Sequence, residues 1–222
     1  MHTGTKNDKR PRGRPRNYDS HQALSDARDA FWHSGYSGTS LDTLSEATGM
    51  NRPSLYSAFG DKHALYLDTL DRYIELGRNA MQAALDGDRP LADALLAVYE
   101  SALALYLPLG EVPRGCFLIG TATVESRADA EVRERLARGL DTFDAEFTRR
   151  LERAQAEGEL DAAANPALLA KVASALLHSL ALRSRAGDSR ESLRATVQAG
   201  VALICGRPPA AQVPGKRRKP KR

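Results

Sequence analysis

Sulfur, aromatic rings and long apolar runs are all scarce in this 222-residue chain, and each shortage closes off a class of protein. Two cysteines, Cys116 and Cys205, cannot build a disulfide framework in a chain of this size, so a reducing compartment is expected. The basic N-terminal stretch lacks the apolar core of a secretory leader, and no uncharged apolar run approaches the roughly 20 residues that span a bilayer. The expected location is the cytoplasm, with no membrane partner. Aromatics make up only 6% of the residues, and no segment alternates polar and apolar with period two over a useful length, so no sheet is predicted. The remaining apolar mass is Ala and Leu, which favour helix over strand. An all-α chain is the expected class.

Reaction chemistry is absent as well. The sequence has no Gly-rich phosphate loop and no nucleophile elbow, and His2, His21, His33, His63 and His178 fit no metal-ligand spacing. Carboxylates such as Glu131 and Glu134 read as helix-surface charges. No catalytic residue, metal or cofactor is expected, which argues against an enzyme.

Charge of one sign is missing from the two ends. Residues 1–17 carry six lysines and arginines against one aspartate, and residues 207–222 carry seven against none. Residues 18–206 hold nineteen basic and twenty-seven acidic side chains, so the net charge of +4 conceals basic ends on an acidic body. That distribution fits a polyanionic partner, although solvated ends that aid solubility would look the same. Lys, Arg, Pro and Gly in these stretches cannot bury a core, so residues 1–17 and 207–222 are expected to be a disordered arm and tail.

Between the tails the apolar spacing is helical. Asp19 or Ser20 can cap a first helix through Leu24, Ala27 and Phe31, stopped at Gly35. Two short helices follow within residues 40–59, SLDTLSEATGMNRPSLYSAF, joined at Thr48-Gly49-Met50. The first follows Thr39-Ser40, Asn51 can cap the second, Gly49 suits a left-handed C-cap, and Pro53 is tolerated in a first turn. Asp61 caps a longer helix running toward the Gly87–Pro90 break. Five more helices are expected near 91–106, 116–126, 129–157, 166–185 and 189–205, making about nine in all.

The two short helices are each too short to be stable alone and must brace one another through Leu41, Leu44, Ala47, Met50, Leu55 and Phe59. A helix-turn-helix works this way, presenting the N-terminal part of its second helix to a major groove. The outward side chains suit that role. Arg52 can meet phosphate or guanine, Ser54 and Ser57 can donate, and Tyr56 can reach a phosphate. Thr39 and Ser40 sit at a helix N-terminus that favours an anion, and Lys62 follows Asp61 in the next first turn. A plain helical hairpin with solvated polar residues would share much of this pattern.

Residues 23–66 also resemble the N-terminal domain of TetR-family regulators. The matching points are Ala27, Phe31, Gly35-Tyr36, Thr39-Ser40-Leu41, Leu44, Ala47, Gly49, Leu55-Tyr56, Phe59, Lys62 and Leu65. Ser45 and Pro53 depart from the family pattern. The resemblance implies a three-helix DNA-binding domain at residues 18–65 and a helical effector-binding and dimerisation domain at 66–206. It makes Tyr56 and Lys62 phosphate contacts, sets Arg52, Pro53, Ser54 and Ser57 toward the groove, and places Asn51 at the head of that helix. The implied function is a ligand-responsive homodimeric regulator. Repression of a palindromic operator, relieved by a small molecule or electrophile, is the expected sign. An activator of the same build, or an architectural protein binding DNA through its tails, remains open.

Two further features bear on partners. Pro11-Arg12-Gly13-Arg14-Pro15 resembles an AT-hook core, whose extended Arg12 and Arg14 can enter a narrow minor groove; a loose electrostatic arm is the plainer alternative. The last two helices carry Leu168, Leu169, Val172, Leu176, Leu177 and Leu180, then Leu193, Val197, Val201 and Leu203, more apolar surface than one face needs, which suits a two-fold four-helix interface. Within the helical body, Tyr73, Tyr99, Tyr106, Phe117 and His178 are candidate cavity walls. Arg114 beside Cys116 can activate the thiol as a sensor, whereas the apolar Phe117-Leu118-Ile119 that follows favours a buried, inert one.

Overall fold

The computed structural model describes residues 19–110 and 112–206. These form helices α1 (Ser20–Gly38), α2 (Leu41–Thr48), α3 (Arg52–Phe59), α4 (Lys62–Leu85), α5 (Leu91–Tyr106), α6 (Thr123–Glu125), α7 (Ala130–Ala156), α8 (Pro166–Arg185) and α9 (Arg190–Ile204). A π-helical turn at Leu118–Ala122 runs directly into α6. Among the described residues there is no strand.

Local chemistry sets the helix starts. Asp19, Ser40, Asn51, Asp61, Asp129, Asn165 and Ser189 each accept a backbone N–H of the following first turn, satisfying donors that helix geometry leaves open. Gly35, with φ 72 and ψ 171, breaks the helical path near the end of α1, and one more turn follows it before Thr39. The stop expected at Gly35 is therefore a kink.

α1, α2 and α3 pack as one small unit on the start of α4. Its interior is Ala27, Phe31, Leu44, Met50, Leu55 and Leu65, all buried, with Leu41 and Phe59 packed partly buried against them. Ala47, expected inside, is exposed, because Leu44 and Met50 already fill the space between α2 and α3. α4 continues without a break through residue 66, so the helix that closes the first unit also opens the second. There α4 and α5 pack on α7, α7 on α8, and α8 on α9. The expected helix near 116–126 is instead a π turn followed by α6. That turn sets Leu118 against Gly139 of α7, where an added Cβ would stand 2.6 Å from the leucine Cδ2.

α8 is the one described helix long and apolar enough to cross a membrane by length and composition. It packs between α7 and α9, and part of its apolar surface faces outward: Leu168, Val172 and Leu182 are 62%, 54% and 59% exposed.

The α2–α3 turn depends on Gly49, at φ 65 and ψ 12. Nothing lies within 4 Å of a Cβ built there, so the cost of a side chain is purely one of backbone conformation. Gly49→Ala is expected to lower stability by about 1–2 kcal/mol in urea unfolding, and Gly49→Asn by less, because Asn tolerates the left-handed region. Equal losses in the two variants would contradict this.

Candidate nucleic-acid interface

The outer side of the α2–α3 pair is polar and open. Arg52, Pro53, Tyr56 and Ser57 are exposed, Tyr56 at 49%, while Ser54 is half-buried. Beneath them Leu55 is buried, turning the opposite side of α3 into the core. The structure thus brings together most of the residues expected to face a groove. Ser40 and Asn51 serve as caps. The Ser40 Oγ accepts from the Thr43 N–H at 3.0 Å, and the Asn51 Oδ1 from the Ser54 N–H at 2.9 Å. Arg12 and Arg14 lie outside the described residues.

Thr39 is placed differently from the sequence reading, and Lys62 and Arg52 have partners that it did not foresee. Thr39 is fully buried. Its hydroxyl donates to the Gly35 carbonyl at 2.7 Å and its N–H to the Tyr36 carbonyl at 3.3 Å. Both groups secure the α1–α2 corner and are turned inward, away from the surface. Lys62 lays its ammonium over the Tyr36 ring, 4.3 Å from the centroid, and burial pulls its pKa below the ordinary lysine value. Arg52 is exposed but not free. Its Nε and Nη2 both donate to Asp42 Oδ1 of α2, at 2.9 and 2.5 Å, which fixes the direction of the guanidinium.

The unit is fastened to the body by rings and polar ties. Phe31 stands edge-on to Tyr66 at 5.0 Å, Tyr36 lies 4.9 Å from Tyr66, and Trp32 meets Tyr73 at 5.4 Å and Phe117 at 5.6 Å. The Trp32 indole donates to the Arg114 carbonyl at 3.0 Å. The Ser37 hydroxyl donates to Glu125 at 3.1 Å, and His63 Nε2 stands 2.6 Å from Asp129 Oδ2. Burial tends to raise the Asp129 pKa, but the Val132 N–H, His63 and the Glu131 N–H outweigh it and hold the carboxyl below its ordinary range.

A cavity of about 270 Å³ opens between α1, α4, α5, α7 and α8. Of the candidate effector residues, Tyr73 and Tyr106 line it, but Tyr99, Phe117, His178 and Cys116 do not. Tyr99 is buried against Phe147 and donates to the Ala173 carbonyl at 3.0 Å. Phe117 belongs to the ring seam just described. His178 is half-buried on α8 with Nε2 unpartnered, and burial lowers its pKa. The sequence missed Trp32 and Phe143 as walls, since neither shares a local pattern with the tyrosines.

Cys116 sits behind the cavity floor, where the Tyr73 hydroxyl donates to its Sγ at 3.3 Å. Arg114 does not activate this thiol; its guanidinium lies over the Trp32 ring, 4.5 Å from the centroid. Burial raises the Cys116 pKa despite hydrogen bonds from the Ile119 N–H and the two tyrosines. Among the described residues no group of three His, Cys, Asp or Glu side chains could hold a metal ion.

Comparison with known proteins agrees with this architecture. Residues 23–69 match the model for bacterial regulatory proteins of the tetR family, and residues 91–200 match the tetracyclin repressor-like C-terminal domain. The HTH-type transcriptional repressor ComR of Escherichia coli (strain K12) is 32% identical over 83% of this chain and 88% of its own. The repressor BdcR of the same organism is 30% identical over 90% of this chain and 96% of its own. A cysteine mutant of the TetR family regulator CifR, solved with a 26-base-pair double-strand operator DNA, superposes with a TM-score of 0.75. It is 32% identical and covers 85% of this chain and 98% of its own.

A raised pKa leaves the Cys116 thiol protonated at neutral pH. Iodoacetamide is expected to label Cys116 at pH 7.5 at least about ten-fold more slowly than free cysteine, with the difference abolished by denaturant. Equal rates in the native protein, followed by mass spectrometry of the peptide, would show an activated thiol instead.

Proposed function

The chain belongs to the TetR family of bacterial regulatory proteins, and on that premise we propose that it is a cytoplasmic, dimeric repressor that leaves its operator when a small molecule fills the helical body. It is a DNA-binding regulator and not an enzyme. The observation that carries the reading is the α2–α3 pair, whose buried side is locked by Leu44, Met50 and Leu55 while Arg52, Pro53, Tyr56 and Ser57 face outward. A helix so braced can enter a major groove without reorganising. That ComR and BdcR are repressors, and that CifR was solved on operator DNA, supports the same role.

The division of labour follows the helices. Residues 18–65 form the reading head, with Ser40, Asn51, Arg52, Pro53, Ser54, Tyr56 and Ser57 against DNA and Lys62 at its edge. Residues 66–206 form the effector and dimer domain, and the arm 1–17 adds minor-groove contact through Arg12 and Arg14. Two copies pair through α8 and α9. Leu168, Val172, Leu182 and Leu203 are each more than half exposed. Along α9 a shallow groove of small side chains, from Ser192 to Ala199, is open to a facing helix. One short recognition helix reads few bases, so a two-fold pair of heads supplies the rest.

Footprinting on the DNA upstream of its own and neighbouring genes is expected to show a two-fold symmetric protected site. Deleting residues 1–16 should remove flanking minor-groove protection and flatten the salt dependence of binding. Sequence-independent coverage would favour an architectural protein, and unchanged affinity and salt slope in the deletion would exclude the arm.

The Asp42–Arg52 pair yields a finer test. Asp42 fixes Arg52 on the reading side, so Asp42→Ala should leave binding to random DNA equal or stronger. The preference for the operator over its single-base variants should fall by about ten-fold, the scale of one aligned arginine contact. Fluorescence anisotropy against both DNA sets reads the ratio. A preference as high as that of the unaltered protein would mean that the pair breaks on DNA and orients nothing.

A further inference from the structure

We infer that the cavity between α1, α4, α5, α7 and α8 takes an uncharged aromatic molecule of one or two fused rings. This deepens the effector role proposed above and rests on it. Size comes first. An apolar cavity of roughly 150 Å³ accepts a benzene ring, so about 270 Å³ leaves space for a bicyclic molecule and little more. Shape and surface come next. The rings of Trp32, Tyr73, Tyr106 and Phe143 stand around the space, and edge and face contacts with rings favour an aromatic over a saturated guest of equal area.

Charge decides the class. Among the described residues Arg28 is the one lysine, arginine, histidine or acid in the lining, and its guanidinium is already engaged. Its Nε and Nη2 donate to Asp29 Oδ1 at 2.9 and 2.8 Å, and Nη2 also reaches Ser25 Oγ at 3.0 Å. Arg114 also approaches the same Asp29 oxygen, at 4.0 Å, so one carboxylate is shared by two guanidiniums. A cation entering here meets no free acid, and an anion must give up its water for a guanidinium that Asp29 already holds, each at a cost in burial. The Tyr73 and Tyr106 hydroxyls are neutral at physiological pH, their pKa values raised well above normal by burial. They add polarity without charge.

Access and readout are both built in. Leu76 and Leu105, 40% and 36% exposed, line the cavity from the solvent side, giving a neutral guest an apolar entry. Trp32 is the chain's single tryptophan, and it belongs to α1, the first helix of the reading head. A guest in contact with Trp32 therefore touches the DNA-binding unit and the effector body at once.

The test uses the full-length protein without DNA. Calorimetry and Trp32 emission are followed with three probes of one skeleton: 2-naphthol, 2-naphthoate and decahydro-2-naphthol. 2-Naphthol is expected to bind in the micromolar range and change Trp32 emission, with the anion and the saturated alcohol each at least about ten-fold weaker. Ala102→Phe, which fills the space from α5, should abolish binding. Gly77→Ala keeps α4 helical while placing a Cβ 3.0 Å from the Phe143 ring, and should weaken binding severalfold even if the larger substitution unfolds the protein. No heat with 2-naphthol, equal or tighter binding of 2-naphthoate, or affinity unchanged in both variants would overturn the assignment. Naphthol binding that leaves operator affinity unchanged would uphold the ligand class and remove the effector role. Symmetric operator protection by a protein that ignores 2-naphthol would do the reverse.

Discussion

Six rings packed between α1, α4 and the π turn hold the reading head on the helical body. Phe31, Trp32 and Tyr36 come from α1, Tyr66 and Tyr73 from α4, and Phe117 from the residue before the π turn. The Tyr66 hydroxyl donates to Thr121 at 2.9 Å across the middle of the seam, and burial pushes its pKa up to about 12. Such ring pairs contribute about 0.5–1.5 kcal/mol each beyond the area they bury. Polar ties at the rim, Ser37 to Glu125 and His63 to Asp129, fix the angle that the rings alone would leave loose. Among the described residues α2 packs on α1 and α3 on the start of α4, both of which carry seam rings, so their position follows from the seam.

The seam also explains how a site in the body can govern the head. Trp32 and Tyr73 belong both to the seam and to the cavity wall. A guest that forces these two rings apart weakens one or two contacts of the size just given. Shifting an equilibrium from mostly bound to mostly free requires a differential preference of a few kcal/mol. Energies of that size lie within reach of a small ligand acting on a dimer, where the displacement is felt twice. No long relay is needed, because cavity and head share a residue.

The parts of this fold that were legible in sequence were those written locally. Asn51 and Asp61 are caps, and Gly49 is a left-handed stop. Each signal lies within a few residues of the boundary it sets, and α8 and α9 begin and end where Pro166, Gly187 and Ser189 imply. What stayed hidden was set by partners distant in sequence or by geometry without a pattern. Asp42 and Arg52 pair across ten positions and two helices. Arg114 lies over Trp32, 82 residues away along the chain, rather than beside the adjacent thiol. Thr39 looked like a phosphate donor because helix N-termini favour anions; the kink at Gly35 instead turned its hydroxyl inward. The cavity draws walls from five helices, so no single stretch announces it.

The charge distribution divides the work of holding DNA. Residues 40–62 contain two basic side chains, Arg52 and Lys62, and three acidic ones, Asp42, Glu46 and Asp61. Arg52 is bound to Asp42, and Lys62 stands over Tyr36. A surface with this balance offers hydrogen-bond geometry but little net attraction to a polyanion. On the proposed function the attraction is supplemented by the arm, where six basic residues precede Tyr18. Each phosphate they neutralise adds roughly 0.9 to the salt slope whatever the base sequence. On the proposed function, then, the arm adds affinity at low salt and the head supplies discrimination. On that reading the arm's share should fall away faster than the head's base discrimination as ionic strength rises, because more of the arm's contribution depends on released counterions.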